Sequence, residues 1–129
     1  MAERTHVGSG APWEQRYGYS RATRAGPFVA VSGTVGINVD GSAPAGAYAQ
    51  ARRALEIIVR ALEELGAHAA DVIRSRIFVT DMRVLDDVAR AHHEVFGDIS
   101  PATSLVQVAA LVSPEYLVEI EADAVILEG

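Results

Sequence analysis

The segment Leu117 to Asp123, "LVEIEAD", carries Glu119, Glu121 and Asp123 two residues apart. In an extended strand that spacing aims all three carboxylates at one face. Carboxylates crowded together repel, and where the face is also desolvated one of them keeps its proton to higher pH and becomes a candidate general acid or base. Glu119 is the first candidate for that role. A solvated rim, or pairing with arginines across an interface, is the competing reading of the same residues. Upstream, "PATSLVQVA" from Pro101 to Ala109 places two hydroxyls, Thr103 and Ser104, where a loop turns into an apolar strand.

Other chemistry is poorly supplied. The chain has no cysteine, so thiolate nucleophiles, disulfides and cysteine metal sites are excluded. His92-His93 cannot share a helix face and no H-E-x-x-H pattern follows, so no metal site is expected. Ser32 and Ser104 lack the G-x-S-x-G elbow of a serine hydrolase. Gly33-x-x-Gly36 lacks the lysine of a phosphate loop and reads as a tight exit from a hairpin. The arginine groups Arg16, Arg21, Arg24 and Arg74, Arg76 read as solvated faces rather than as an aromatic stacking platform for nucleic acid.

The elements that must position these groups follow from pattern. With 129 residues, 50% hydrophobic and 22% charged, the chain fits one soluble domain over residues 1–129. A net charge of −6 disfavours broad attraction to nucleic acid or anionic lipid. No apolar run reaches membrane-spanning length and "MAERTHVGSG" is not a signal peptide, which together suggest a cytoplasmic protein without membrane contact.

Residues 1–12 read as a flexible arm. Tyr19–Ala25 and Phe28–Gly33 form a hairpin around Gly26-Pro27. Ala47, Ala51, Leu55, Ile58, Val59, Leu62 and Leu65 make the apolar face of a helix stopped by Gly66, with Gln50 largely away from that face. In "DVIRSRIFVTDM" Ile73, Ser75, Ile77 and Val79 share one strand face, and Arg74, Arg76, Phe78 and Thr80 the other. A second helix, capped by Asp81, runs through Leu85 and Phe96 to Gly97. Strands over Ser104–Leu111 and Leu117–Leu127 complete a ββαβαββ order, an α+β sandwich with two helices on one sheet face. The other face needs a cover, which predicts self-association.

The series "GYSRA", "VAVSGTVGINVDG", "AQARRALEIIVRALEELGA", "DVIRSRIFVTDM" and "PATSLVQVAALVSPEYLVEIEADAVI" resembles the RidA/YjgF family in order and over nearly the whole chain. The resemblance implies a chorismate-mutase-like fold and a homotrimer with small-molecule clefts between adjacent subunits. It also implies hydrolysis of 2-imino or 2-enamino acids to 2-oxo acids and ammonia, with no cofactor. Tyr19 falls on the family's pocket tyrosine, Gly33 on a glycine beside the pocket, and Glu119 on the glutamate that positions water or shuttles a proton. Thr103 stands where the family's P-x-R-S element has an arginine that clamps the substrate carboxylate. Ala89 approximately replaces a pocket asparagine, and Leu105 a frequent cysteine.

Threonine offers one neutral hydroxyl in place of a two-pronged cation. This substitution argues against unmodified 2-imino-acid deaminase activity. Arg21 or Arg76 would have to restore the charge, or the ligand lacks a carboxylate. Thr103, Ser104, Leu105, Gly33, Arg21 and Arg76 are therefore the expected ligand-binding set, with Glu119 and Tyr19 catalytic. Hydrolysis of an imine, enamine or related C–N bond is the favoured reading. A noncatalytic ligand-binding or regulatory trimer is the second, and an endoribonuclease or translation inhibitor the third.

Overall fold

A computed structural model describes residues 3–127. Its order is β1 (Arg4–Val7), α1 (Pro12–Tyr17), β2 (Ala22–Ala25), β3 (Phe28–Val35), α2 (Ala47–Glu64), β4 (Val72–Val79), α3 (Leu85–Phe96), β5 (Ala102–Gln107) and β6 (Val118–Val125). The strands form one mixed sheet in the order β1-β2-β3-β6-β4-β5, and α2 and α3 pack side by side on one face. Among the described strands only β4 and β5 are parallel, joined through the α3 crossover.

The expected architecture holds, with an additional strand and a short helix near the N-terminus. Arg4–Val7 pairs antiparallel with β2, so the expected flexible arm is an edge strand over those residues. Its backbone groups find partners along β2 that a free arm would leave to water. The last expected strand pair is also shifted: β5 covers 102–107 where 104–111 was expected.

Helix α2 buries Ala51, Ala54, Leu55, Ile58 and Leu62 completely, at the spacing of one helix face. At its end Gly66 takes a φ of +86°, while its N–H and that of Ala67 bond back to the carbonyls of Glu63 and Leu62. This is the left-handed termination that a glycine permits. Gln50, expected to lie largely away from the apolar face, is instead 2% exposed. Its amide nitrogen donates to the carbonyls of Pro44 and Glu115, at 3.1 and 2.9 Å, and its oxygen accepts from the Leu117 N–H at 2.8 Å. A buried amide with all these partners is worth its desolvation, and it clamps the loop that leads into β6.

From there the period of two decides the sheet faces. Val118, Ile120, Ala122 and Ala124 are buried beneath the helices, whereas Glu119, Glu121 and Asp123 point to the opposite, open face. Ser75, Ile77 and Val79 of β4 share the helix side. Ile73, expected with them, lies 55% exposed because the β4–β6 register shifts between Val72 and Arg74. The extra residue of that irregularity turns Ile73 outward. It joins Phe28, Ala30 and Val125 around a shallow apolar depression on the open face.

Gln50→Ala is expected to lower unfolding stability by about 1–3 kcal/mol in urea titration, because the Leu117 N–H and Glu115 carbonyl lose their partner. A change at 83%-exposed Val112 to Thr should leave the midpoint in place.

Candidate functional site

The chain brings the expected site residues together in two groups, one on each face of the sheet. The first lies on the open face. Helix α1 ends at Gly18, with φ +79°, and the N–H groups of Gly18 and Tyr19 both bond the Glu14 carbonyl at 2.9 Å. This turn delivers Tyr19, 42% exposed, to the approach of β2. Two residues on, the Arg21 backbone is pinned between Val7 and Ser32. Its Nη2 donates to the Gly33 carbonyl at 2.5 Å, while its buried Nε has no partner among the described residues.

Gly33 occupies a register shift between β3 and β6, bracketed by Val31 and Thr34. The bulge carries Gly33 against the Glu119 side chain: a Cβ there would sit 2.5 Å from Oε2 and 2.9 Å from Cδ. Glycine is required by close approach to the carboxylate, since a larger residue would displace it.

Half-burial raises the proton affinity of Glu119 above the ordinary carboxylate value of 4.5. Arg21 opposes that rise and Glu121 adds to it. Burial likewise pulls the Arg21 guanidinium below its usual value, against the charges of Glu14, Tyr19 and Glu119. Arg21 and Glu119 are thus electrostatically coupled, with Gly33 in contact with both and Tyr19 close to Arg21. Arg76, by contrast, lies further along the face and is engaged by Glu121 at 3.0 Å and Asp123 at 3.4 Å. Ser104 is its register neighbour on β5 and shares the open face.

The second group lies on the helix side. Thr103 and Leu105 register with Ser75 and Ile77, so they face α3 rather than Glu119. They line a groove of about 610 Å³ between α3 and β5, with Leu85, Ala89, His92 and Phe96. Thr103 Oγ1 is 2.7 Å from Ser75 Oγ, which in turn lies 2.8 Å from His92 Nε2. Thr103 also donates to the Pro101 carbonyl at 3.2 Å. Burial, with His93 adding, lowers the His92 pKa below 6.5, which favours the uncharged ring. Sequence reasoning missed Ser75 and His92 as neighbours of Thr103. The parallel β4–β5 register that joins them depends on a crossover that no local pattern specifies.

Among the described residues no group of three or more His, Asp or Glu is arranged to hold a metal ion. No described helix is long and apolar enough to cross a membrane.

Comparison with known proteins bears on this geometry. The family model described as Endoribonuclease L-PSP matches residues 11–126. The chain is 37% identical over 119 residues to an uncharacterized protein of Streptomyces coelicolor, covering 92% of this chain and 89% of that one. It is 31% identical over 111 residues to the 2-iminobutanoate/2-iminopropanoate deaminase of Escherichia coli, covering 83% and 86%. A crystal structure from Mycobacterium tuberculosis, of a member of the YjgF/YER057c/UK114 family, superposes with a TM-score of 0.90 at 48% identity, covering 96% and 100%.

Gly33→Ala is expected to leave the fold intact, since the clashing atoms end a flexible side chain, but to push the Glu119 carboxylate out of place. Circular dichroism should be unchanged. NMR titration of the Glu119 carboxyl carbon should show its pKa moving toward 4.5 as burial is lost.

Proposed function

Because the chain belongs to the Endoribonuclease L-PSP family, also called RidA/YjgF, we propose that it processes a small reactive metabolite by hydrolysing an imine, enamine or related C–N bond. The observation that carries this reading is the half-buried Glu119 carboxylate, raised in proton affinity and seated against Gly33 beside Arg21. A group of that kind is suited to take a proton from water and return it to a leaving nitrogen.

In the proposed step, water adds to the C=N carbon as Glu119 removes its proton, and the C=N π pair moves onto nitrogen, which is protonated. The resulting carbinolamine collapses to a carbonyl, and the C–N pair leaves with nitrogen as ammonia. Tyr19 borders the reacting group, and Thr103 or the backbone near Leu105 offers a hydrogen bond to the developing polarity. Water and protons alone balance the reaction.

Glu119 and Thr103 lie on opposite faces of one sheet, so a small ligand that meets both must sit between two copies. This supports a homotrimer with intersubunit clefts, as the resemblance implies. Exposed Phe28, Ile73 and Val106 supply apolar surface for such an assembly. Arg76, neutralised by Glu121 and Asp123, is a structural ion pair in this reading and does not restore the missing charge. Arg21 holds the Gly33 turn and tempers Glu119 in preference to clamping a ligand. Three carboxylates on the open face disfavour a polyanionic ligand, which ranks RNA cleavage below small-molecule hydrolysis.

Freshly generated imines, followed by ammonia release, test the proposal. Glu119→Gln should lower kcat/KM by about 100-fold or more. The acid limb of the wild-type rate profile should fall above pH 4.5, because the base must be ionised. The same shift gives the opposite sign for stability. The folded state binds the Glu119 proton more tightly than the unfolded chain, so its contribution is present below pH 4.5 and is lost as pH rises through the folded pKa. Glu119→Gln should therefore be at least as stable as wild type at neutral pH. Ammonia release that the substitution leaves unchanged would remove Glu119 from the mechanism; no release at all would favour a noncatalytic binding protein.

A further inference from the structure

The groove between α3 and β5 has an unusual chemical makeup. Its lining contains no Lys, Arg, Asp or Glu. Apolar walls come from Leu85, Ala89, Phe96 and Leu105, while exposed Thr103 and Ser100 supply hydroxyls, that of Ser100 already donating to the Gly97 carbonyl. Its size lies within the range of small-molecule sites.

The Thr103 hydroxyl is held from behind. Ser75 is fully buried and can satisfy its own hydroxyl only through its neighbours, His92 Nε2 and Thr103 Oγ1. Each hydroxyl has one hydrogen, so two arrangements of the chain are consistent. In one, His92 Nε2–H donates to Ser75, which donates to Thr103. In the other, Thr103 donates to Ser75, which donates to a bare Nε2. In the first, the Thr103 hydrogen points to the Pro101 carbonyl, its longest contact at 3.2 Å, and is the one most easily surrendered to a ligand. The first arrangement matches the Thr103 donation to Pro101 and leaves Thr103 a neutral, oriented hydroxyl that can donate to a ligand, whereas in the second its hydrogen is spent on Ser75 and it can only accept.

From this the geometry points to an uncharged, mainly apolar ligand with one hydrogen-bonding carbonyl or imine group as the occupant of the α3–β5 groove. Thr103 is its polar anchor, and Ser75 and His92 are the positioning residues that orient that anchor. A carboxylate placed here would lose its water without gaining a cation, and a single hydroxyl does not offset that loss. The two arginines nearest in role are already committed, Arg21 to the Gly33 carbonyl and Arg76 to Glu121 and Asp123. The inference rests on the reading that a small ligand occupies this cleft, and it names the class of substrate; it does not depend on Glu119 being the base.

The test is an NMR titration of the intact protein at pH 8, above the ordinary histidine range, with hexanamide and hexanoate as a matched pair, following the His92 ring where it is present and the backbone amides of the groove residues Ala89, Phe96 and Leu105 in every variant. Hexanamide should shift the His92 signals and bind more tightly than hexanoate. Thr103→Val, Ser75→Ala and His92→Phe should each weaken hexanamide by about three- to tenfold, the value of one hydrogen bond. His92→Gln, which can restore a bond to Ser75, should recover most of the affinity lost in His92→Phe; a merely structural role for the ring would give no such recovery. Hexanoate binding as tightly as hexanamide would overturn the ligand class. Unchanged hexanamide affinity in Thr103→Val would overturn the anchor, and absence of recovery in His92→Gln would overturn the positioning role. Because this equilibrium is read without turnover, the catalytic reading of Glu119 and the ligand class of the groove stand or fall separately.

Discussion

Strand β6 has a hydrogen-bonded neighbour on each side, and that constraint organises the rest of the molecule. A strand paired along both edges cannot slip by one residue without driving Glu119, Glu121 and Asp123 beneath two helices. Burial of Ile120 and Ala122 on one face therefore fixes the carboxylates on the other. The Gln50 amide, bonded to both sides of the turn before β6, sets where that alternation starts. The bulge in β3 then brings Gly33 to the carboxylate that this register presents. The raised proton affinity of Glu119 is thus a consequence of sheet register and one close backbone approach.

The same alternation separates the site into halves. Residues that register with Ser75 face α3, and those that register with Arg76 face outward, so Thr103 and Ser104, adjacent in sequence, belong to different surfaces. On the outward side, positive charge is balanced locally: Arg76 by two carboxylates, and Arg21 within the Glu14, Tyr19 and Glu119 field. On the helix side Thr103 and Ser75 contribute hydroxyls, and His92 an imidazole whose pKa burial lowers. A proposed cleft built from both halves would place one proton-shuttling carboxylate opposite a neutral anchor. That pairing suits addition of water to an electrophilic carbon more than recognition of an anionic substrate.

Much of this was legible from residue order. The α2 face, the β6 alternation and the Gly26-Pro27 turn are local patterns, and they appear where period and turn chemistry place them. The grouping of Tyr19, Gly33 and Glu119 came from resemblance, since nothing in their spacing brings three separate segments together. Besides the N-terminal strand and short helix, three side-chain placements escaped. Gln50 reads as a polar helix residue, because its partners are backbone groups of a distant loop. Ile73 follows the strand period, which a bulge breaks without a glycine to announce it. The link from His92 through Ser75 to Thr103 spans a parallel crossover, where contacts depend on tertiary register.

The central claim is that a working site needs the Glu119 face of one copy and the Thr103 groove of another. The chain has no cysteine, so Tyr19→Cys and Thr103→Cys in one molecule give two unique thiols for a short bismaleimide cross-linker. The account predicts covalent species up to a trimer on a denaturing gel, with no such product from either single substitution. Chains that remain single, or cross-links formed only within one chain, would contradict it.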